Sequence, residues 1–308
     1  MPLVSVIMNV RNGASFLREA LDSALSQTFA DWELIVWDDC STDNSAGIVS
    51  EYPDRRVRYF LSSEDTPLGQ ARDLAIRQAS GLWLAFLDQD DVWLPRKLEK
   101  QLVLAQSGVG IIYGRTVMFD ARHGNRRDYD YAHEFCSLPE GDIFTQLFAD
   151  ACFIAMSSAV LRRSAVEEIG GIPKAIEVAP DYYLYLAVSH RYPARAVQEV
   201  ICRYRIHPGS MSQSHRLRLR QEPLFLIDQW AGCVDPKIVA YRRMTYSSAL
   251  ALEEMRSRKT FRAGVARLLS HGSLPWSLTR AFVQAWRAVR RKLRRPYWLA
   301  TELASRPD

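Results

Sequence analysis

Cysteine is scarce and irregularly placed: five residues in 308, an odd number, with no Cys-x-x-Cys spacing. That pattern argues against a disulfide framework and against a zinc site. No apolar stretch approaches the about 20 residues that a membrane-crossing helix requires. The opening run Met1 to Val10 has no basic lead, so no secretory signal is expected and the protein reads as cytoplasmic. Internal repeats and low-complexity segments are missing as well. A Gly-rich basic loop after the first strand is also absent, because Asn9-Val10-Arg11-Asn12-Gly13 stands there. This weighs against a metal-dependent nucleotidyltransferase. What remains is a chain long enough for one large core plus an extension.

The strongest positive signal is Trp83-Leu84-Ala85-Phe86-Leu87-Asp88-Gln89-Asp90-Asp91. An apolar run suited to a buried strand stops at three carboxylates within four positions. A buried carboxylate is costly unless it is paired or bound to a metal. Ligands of open α/β sheets sit beyond the carboxyl ends of strands, and hard divalent ions take oxygen ligands there together with substrate phosphates. The same stretch also suits a solvated turn that starts a helix. Leu34-Ile35-Val36-Trp37 ends similarly in Asp38-Asp39, and Leu3 to Met8 ends in Asn9. A further strand is expected at Val57-Arg58-Tyr59-Phe60.

Helical patterns separate these strands. One begins at Ala14, with Phe16, Leu17, Ala20, Leu21, Ala24 and Leu25 on one face, and another spans 69–79. The alternation predicts βαβ units on a parallel sheet. Asn9, Asp39 and Asp88 to Asp91 are then expected around a single crevice. Gly110 to Gly114 and Val117 to Phe119 read as two more strands, and 121–140 as a polar loop.

These residues carry a resemblance to the family-2 glycosyltransferases. The matching stretches are 4–12, 24–29, 37–43, 69–73 (Gly69-Gln70-Ala71-Arg72-Asp73) and 86–95. They continue with 179–184 (Ala179-Pro180-Asp181) and 204–207 (Tyr204-Arg205-Ile206-His207). Seven pieces in order cover roughly residues 1–215.

The resemblance implies a GT-A fold: an α/β, mostly parallel sheet flanked by helices, here with a C-terminal helical extension. It implies a catalytic domain over 1–215, with a nucleotide-binding half at about 1–109 and an acceptor half at about 110–215. The implied reaction is inverting transfer of a sugar from a nucleotide-diphosphate donor, a UDP-sugar above all, assisted by Mn²⁺ or Mg²⁺. By the same resemblance Asp39 accepts from the donor base, Arg72 lies against that base, and Asn9 and Arg11 line the nucleoside pocket. Asp90 is implied as a direct metal ligand, with Asp88 at the ribose or a metal water. His207 is implied near the metal or diphosphate, and Asp181 as the general base.

Three positions depart from the family pattern. Pro180 stands where Glu usually precedes the base, and Cys40 replaces a common Gly, narrowing that turn's options. Asp73 replaces Asn, and this carboxylate is expected near the base pocket, where it would either weaken uracil recognition or favour another base. Asp181 also suits an N-cap for a helix over 182–190. Arg203 and Arg205 either add positive charge at the diphosphate end or alternate outward on a strand.

Charge is unevenly spread along the chain. Residues 256–308 hold 13 Lys or Arg against 2 Asp or Glu, while the rest hold 27 against 33. Leu278, Phe282, Ala285, Trp286, Val289 and Leu293 recur at helical spacing among arginines, with Trp276 and Trp298 nearby. The extension 216–308 is therefore expected to be helical, basic and peripheral at the inner membrane surface. The competing reading packs this apolar stripe on the catalytic domain. No RNA- or DNA-binding motif accompanies the charge, so nucleic acid is not an expected partner. A polyprenyl-linked or other glycan acceptor in bacterial surface polysaccharide synthesis follows from the family and the tail. The alternative function is a non-catalytic nucleotide-sugar binder or membrane scaffold.

Overall fold

The computed structural model describes residues 1–120, 129–132, 137–150, 152–256 and 260–270. The expected basic helix around 276–298 therefore lies outside the described residues. The described chain forms two compact units, one spanning Met1–Val239 and one beginning at Ala240.

The first unit is built on nine strands: β1 (Val4–Val10), β2 (Trp32–Asp38), β3 (Val57–Leu61), β4 (Trp83–Phe86), β5 (Val92–Trp93), β6 (Ile111–Asp120), β7 (Tyr129–Asp130), β8 (Val160–Arg162) and β9 (Ala194–Ile206). They join in the order β3-β2-β1-β4-β8-β6-β9-β5, with β7 paired to β6. β3, β2, β1 and β4 run parallel, β8 is antiparallel to both β4 and β6, and β6 is parallel to β9. The two strands expected between 110 and 119 are one continuous strand, β6. Its register shifts around Arg115, which breaks the sequence pattern without ending the strand.

Helices α1 (Leu17–Leu25), α2 (Ser45–Ser50), α3 (Leu68–Ile76) and α4 (Lys97–Leu102) connect the first half. The second half adds α5 (Phe144–Ala149), α6 (Arg163–Glu168), α7 (Pro180–Ser189), α8 (Met211–Ser214) and α9 (Arg218–Trp230). Leu17, Ala20, Leu21 and Ala24 of α1 are buried in one cluster with Val6, Met8 and Val10 of β1. Their i, i+3, i+4, i+7 spacing gives α1 a single apolar face, and the alternate residues of β1 meet it. Burying each Leu contributes about 1.5–3 kcal/mol.

Helix α10 (Pro236–Arg256) leads into the second unit, which continues with α11 (Phe261–Ser270). There Ala251 and Met255 are buried against Phe261 and Val265, and Arg267 pairs with Glu254 at 3.1 Å. No described helix is long and apolar enough to cross a membrane.

Candidate active site

Parallel strands end on a common rim, and that is where the polar residues collect. Asn9 and Val10 close β1, and the Asp39 N–H donates to the Val10 carbonyl at 2.8 Å. Both following turns pass through the left-handed region, at Asn12 (φ 50°) and Cys40 (φ 57°). Asn tolerates that conformation, whereas Cys at a position suited to Gly costs about 1–2 kcal/mol. The turns clasp each other, since Asn12 Oδ1 accepts the Thr42 N–H at 2.8 Å and Ser41 Oγ accepts the Asn12 N–H at 2.9 Å.

A cleft of about 600 Å³ opens above this rim. Asn9, Arg11, Asp39, Asp88, Asp90 and His207 all line it, so six of the expected site residues meet in one place. Asp39 accepts hydrogen bonds from the Thr66 N–H (3.2 Å) and hydroxyl (3.0 Å), and burial raises its carboxyl above the usual range. Arg11 donates to the Asp39 carbonyl at 2.6 Å and pairs with Asp65 at the cleft edge. The Asn9 amide has neither a hydrogen-bond partner nor solvent in the described structure. Such a buried orphan is what a bound ligand would satisfy.

Arg72 of α3 is buried and donates to Asp88 Oδ1 at 2.6 Å. Its neighbour Asp73 points elsewhere. Asp73 accepts the Ile172 N–H at 2.9 Å and the Arg77 Nε–H at 2.8 Å, outside the cleft lining. The expectation of a carboxylate beside the base pocket is therefore corrected. Arg72 itself is also outside the cleft lining, which α3 enters through Leu68 and Ala71; its guanidinium is turned to Asp88 rather than to the open cleft.

The three carboxylates after β4 divide in the same way. Asp91 turns inward, 1 % exposed, and accepts the Ser157 hydroxyl (2.5 Å) and the Arg205 N–H (2.9 Å). Burial, then Asp90 and Asp88, hold its carboxyl well above the ordinary range. Asp88 and Asp90 remain on the cleft. Burial first, with Asp90 and Asp181 adding to it and Arg72 opposing it, pushes the Asp88 carboxyl up to about 6. His207 Nε2 lies 2.8 Å from Asp90 Oδ2, and its ring packs on Phe16 at 4.7 Å.

Crowded carboxylates beside an imidazole form an oxygen- and nitrogen-rich donor set that suits Mn²⁺ or Mg²⁺. Asp90, His207 and Asp88 thus fit a divalent ion chemically. Among the described residues no three such side chains already converge on one point.

Arg205 takes neither of its two expected roles. It is buried, donates from Nε to the Asp90 carbonyl at 2.7 Å, and pairs with Glu19. Its guanidinium also lies over Phe16 at 4.7 Å and Phe119 at 4.5 Å. It braces the Asp90-Asp91 turn from β9. The Arg203 guanidinium lies over the Phe119 ring at 4.2 Å.

Asp181 sits in the first turn of α7, outside the cleft lining. The helix begins at Pro180, with Ala179 at the N-cap position, so Asp181 is not the cap. Pro suits the first helical position because its fixed φ is already helical. Asp181 is coupled electrostatically to both Arg72 and Asp88, and burial raises its carboxyl above the usual range.

Sequence reasoning missed Gln89, the residue between the two cleft carboxylates. Its Oε1 accepts the Arg11 N–H at 2.9 Å and its Nε2 donates to the Arg11 carbonyl at 3.2 Å. Gly13 leaves the room for this, since a Cβ there would meet Gln89 Oε1 at 2.3 Å. Only its place between Asp88 and Asp90 hinted at the role.

Residues 5–170 match the profile described as Glycosyl transferase family 2. The chain is 30 % identical over 223 residues to UDP-Glc:alpha-D-GlcNAc-diphosphoundecaprenol beta-1,3-glucosyltransferase WfgD of Escherichia coli, covering 71 % of this chain and 83 % of that one. It is 29 % identical over 219 residues to the putative teichuronic acid biosynthesis glycosyltransferase TuaG of Bacillus subtilis, covering 69 % and 82 %. Among solved structures it resembles the mannosyltransferase PcManGT of Pyrobaculum calidifontis, in complex with GDP-Man and Mn²⁺. The TM-score there is 0.60 at 22 % identity, over 94 % of this chain and 80 % of that one. The sheet order, the acidic rim and these likenesses converge: the chain is a GT-A-fold enzyme of the glycosyltransferase type and belongs to glycosyl transferase family 2.

Proposed function

We propose that this enzyme transfers a hexose, with inversion, from a UDP-sugar to a hydroxyl of a lipid-linked glycan acceptor in bacterial surface polysaccharide synthesis. The observation that carries the reading is the single cleft lined by Asn9, Arg11, Asp39, Asp88, Asp90 and His207. The Escherichia coli relative, whose name states a UDP-glucose donor and a diphosphoundecaprenol-linked acceptor, supports the substrate class.

In this reading Asp39 accepts a hydrogen bond from the donor base, using carboxylate lone pairs that Thr66 leaves open. Asn9 supplies the unpartnered amide to the nucleoside. Arg72 fixes Asp88 at the ribose side, and Asp90 and His207 face the diphosphate. A divalent ion held by Asp90, His207 and Asp88 would supply Lewis-acid stabilisation of the leaving diphosphate's charge. The acceptor oxygen forms its bond to the anomeric carbon as the bond to the diphosphate breaks. Its proton passes to the Asp181 carboxylate. Burial that raises Asp181 makes it a better base near neutral pH. A single displacement of this kind inverts the anomeric centre.

The basic stretch around 276–298 would hold the enzyme at an anionic membrane surface, where each Lys or Arg contributes about 1 kcal/mol. Co-sedimentation with anionic vesicles, compared for the full chain and a chain ending at 270, tests that part.

The primary test is thermal shift with UDP, GDP and their sugars, with and without Mn²⁺, followed by transfer to a polyprenyl-diphosphate-linked sugar. A Mn²⁺-dependent shift with UDP and turnover with one UDP-sugar is expected. A shift with GDP alone overturns the choice of base. Binding without turnover on any acceptor favours the non-catalytic reading.

A further inference from the structure

Helix α9 contributes a carboxylate to the segment that leads into α7. Glu222 is 5 % exposed, and it accepts the backbone N–H groups of three successive residues. Oε1 receives those of Glu177 (3.0 Å) and Val178 (3.0 Å), while Oε2 receives those of Val178 (3.1 Å) and Ala179 (2.8 Å). Three converging donors need an acceptor with two oxygens and about four lone pairs, which only a carboxylate offers among side chains of this length.

The same segment is pinned from its other side by α3. The Gly69 N–H donates to the Glu177 carbonyl at 3.0 Å, and a Cβ on Gly69 would stand 1.9 Å from the Ile176 carbonyl oxygen. Backbone can approach that closely only where there is no side chain. Arg218, also on α9, pairs with Glu177 at 2.7 Å. A second contact joins α9 to α7, with Trp230 against Tyr183 at 5.9 Å.

What this segment connects gives the clamp its meaning. Glu177 and Val178 form part of the cleft wall, and Ala179 caps α7. Pro180 follows with its φ fixed, so the placement of 177–179 passes directly to Asp181. The clamp's opposite jaw, α3, also carries Arg72, the cation that holds Asp88.

We infer that Glu222 is a positioning residue for the transfer reaction: it fixes the Glu177–Ala179 backbone and through it the distance of Asp181 from the cleft. The inference rests on Asp181 being the base, but the clamp itself is a statement about backbone order. A purely structural role would lower stability and leave the turnover of the folded enzyme unchanged.

The test uses the full chain with Glu222→Ala and Glu222→Gln. Two quantities are read: amide hydrogen exchange over 175–183, and kcat alongside the Kd for the donor nucleotide below the melting transition. Glu222→Ala is expected to speed exchange at 177–179 and to lower kcat by about 10–10²-fold, a larger loss than the weakening of nucleotide binding through the cleft wall. Glu222→Gln, with a single acceptor oxygen, is expected to fall between the parent and Glu222→Ala in both readouts. Unchanged exchange at 177–179 overturns the clamp. Faster exchange with unchanged kcat overturns the positioning role. Should Glu222→Ala not fold, the same two readouts on Glu222→Gln decide. Should the parent transfer no sugar from any donor, the functional reading fails, and the exchange result still decides the clamp.

Discussion

Arg72 Nη2 lies 2.6 Å from Asp88 Oδ1, with its side chain only 4 % exposed. That buried cation serves carboxylates from two distant elements, because Asp181 of α7 also feels its charge. The turn after β4 and the start of α7 thus meet electrostatically at one guanidinium. At Asp181 burial outweighs that cation, so its carboxyl stays above the usual range and Arg72 only moderates the rise.

Replacing Asp181 by Asn removes the proton acceptor and keeps the shape. Transfer is expected to fall by about 10²–10⁴-fold. Nucleotide affinity should stay near that of the parent, since Asp181 is outside the cleft lining. Steady-state kinetics paired with calorimetric binding of UDP separates the two. Equal loss of binding and rate would remove Asp181 from the chemistry.

Asp90→Ala deletes the cleft carboxylate nearest His207, at 2.8 Å. Donor binding in the presence of Mn²⁺ is expected to weaken by at least about tenfold, because a charged ligand oxygen is lost. Binding measured in chelator should barely change. An equal loss with and without metal would make Asp90 a direct sugar or phosphate contact instead.

Ser157→Ala tests the inward-turned carboxylate. The Ser157 hydroxyl accepts the Asp88 N–H at 3.0 Å and donates to Asp91 Oδ2 at 2.5 Å. Its loss leaves two buried polar groups short of a partner, costing about 1–3 kcal/mol in urea unfolding. A change near zero would mean that the Asp88–Asp91 turn does not depend on that hydroxyl.

Lys97 gives a pH signature. It is fully buried, its Nζ donates to Gln101 Oε1 at 2.7 Å, and it lies 4.1 Å from the Trp93 ring centroid. Burial lowers the ammonium from its ordinary value of 10.5 to about 7. Between those two values the unfolded chain binds a proton that the folded chain does not. Stability should therefore rise with pH across that window, by about 1 kcal/mol per unit. Lys97→Met keeps the volume and should flatten the slope in urea titrations at pH 7.5 and 9.5. A slope identical to the parent's would place the titration elsewhere.

Much of the site was readable because its parts are local. Asn9, Asp39 and Asp88 each end a short apolar run, and such runs become strands whose ends share a rim. The residues alone do not say which of Asp88, Asp90 and Asp91 faces the cleft. The family resemblance singles out Asp88 and Asp90, and the physical reason, that Ser157 and Arg205 draw Asp91 inward from far along the chain, is seen only in the structure. Asp73 was misplaced for a similar reason: its orientation depends on Ile172 and Arg77, not on its neighbour Arg72. The local pattern offers Arg205 either a place at the diphosphate end or an outward place on a strand; pairing β9 between β6 and β5 buries it instead behind Asp90.

The sequence by itself determined the parallel-sheet half, the acidic rim and the family, because alternating apolar runs and strand-end carboxylates are short-range patterns. Tertiary structure alone decided that Asp181 shares Arg72 with Asp88, that Asp91 and Arg205 are braces, and that Glu222 closes on the backbone at 177–179. Those relationships join residues tens of positions apart. Their partners are chosen by packing and by the need of each buried charge and amide for a partner, which no local spacing encodes.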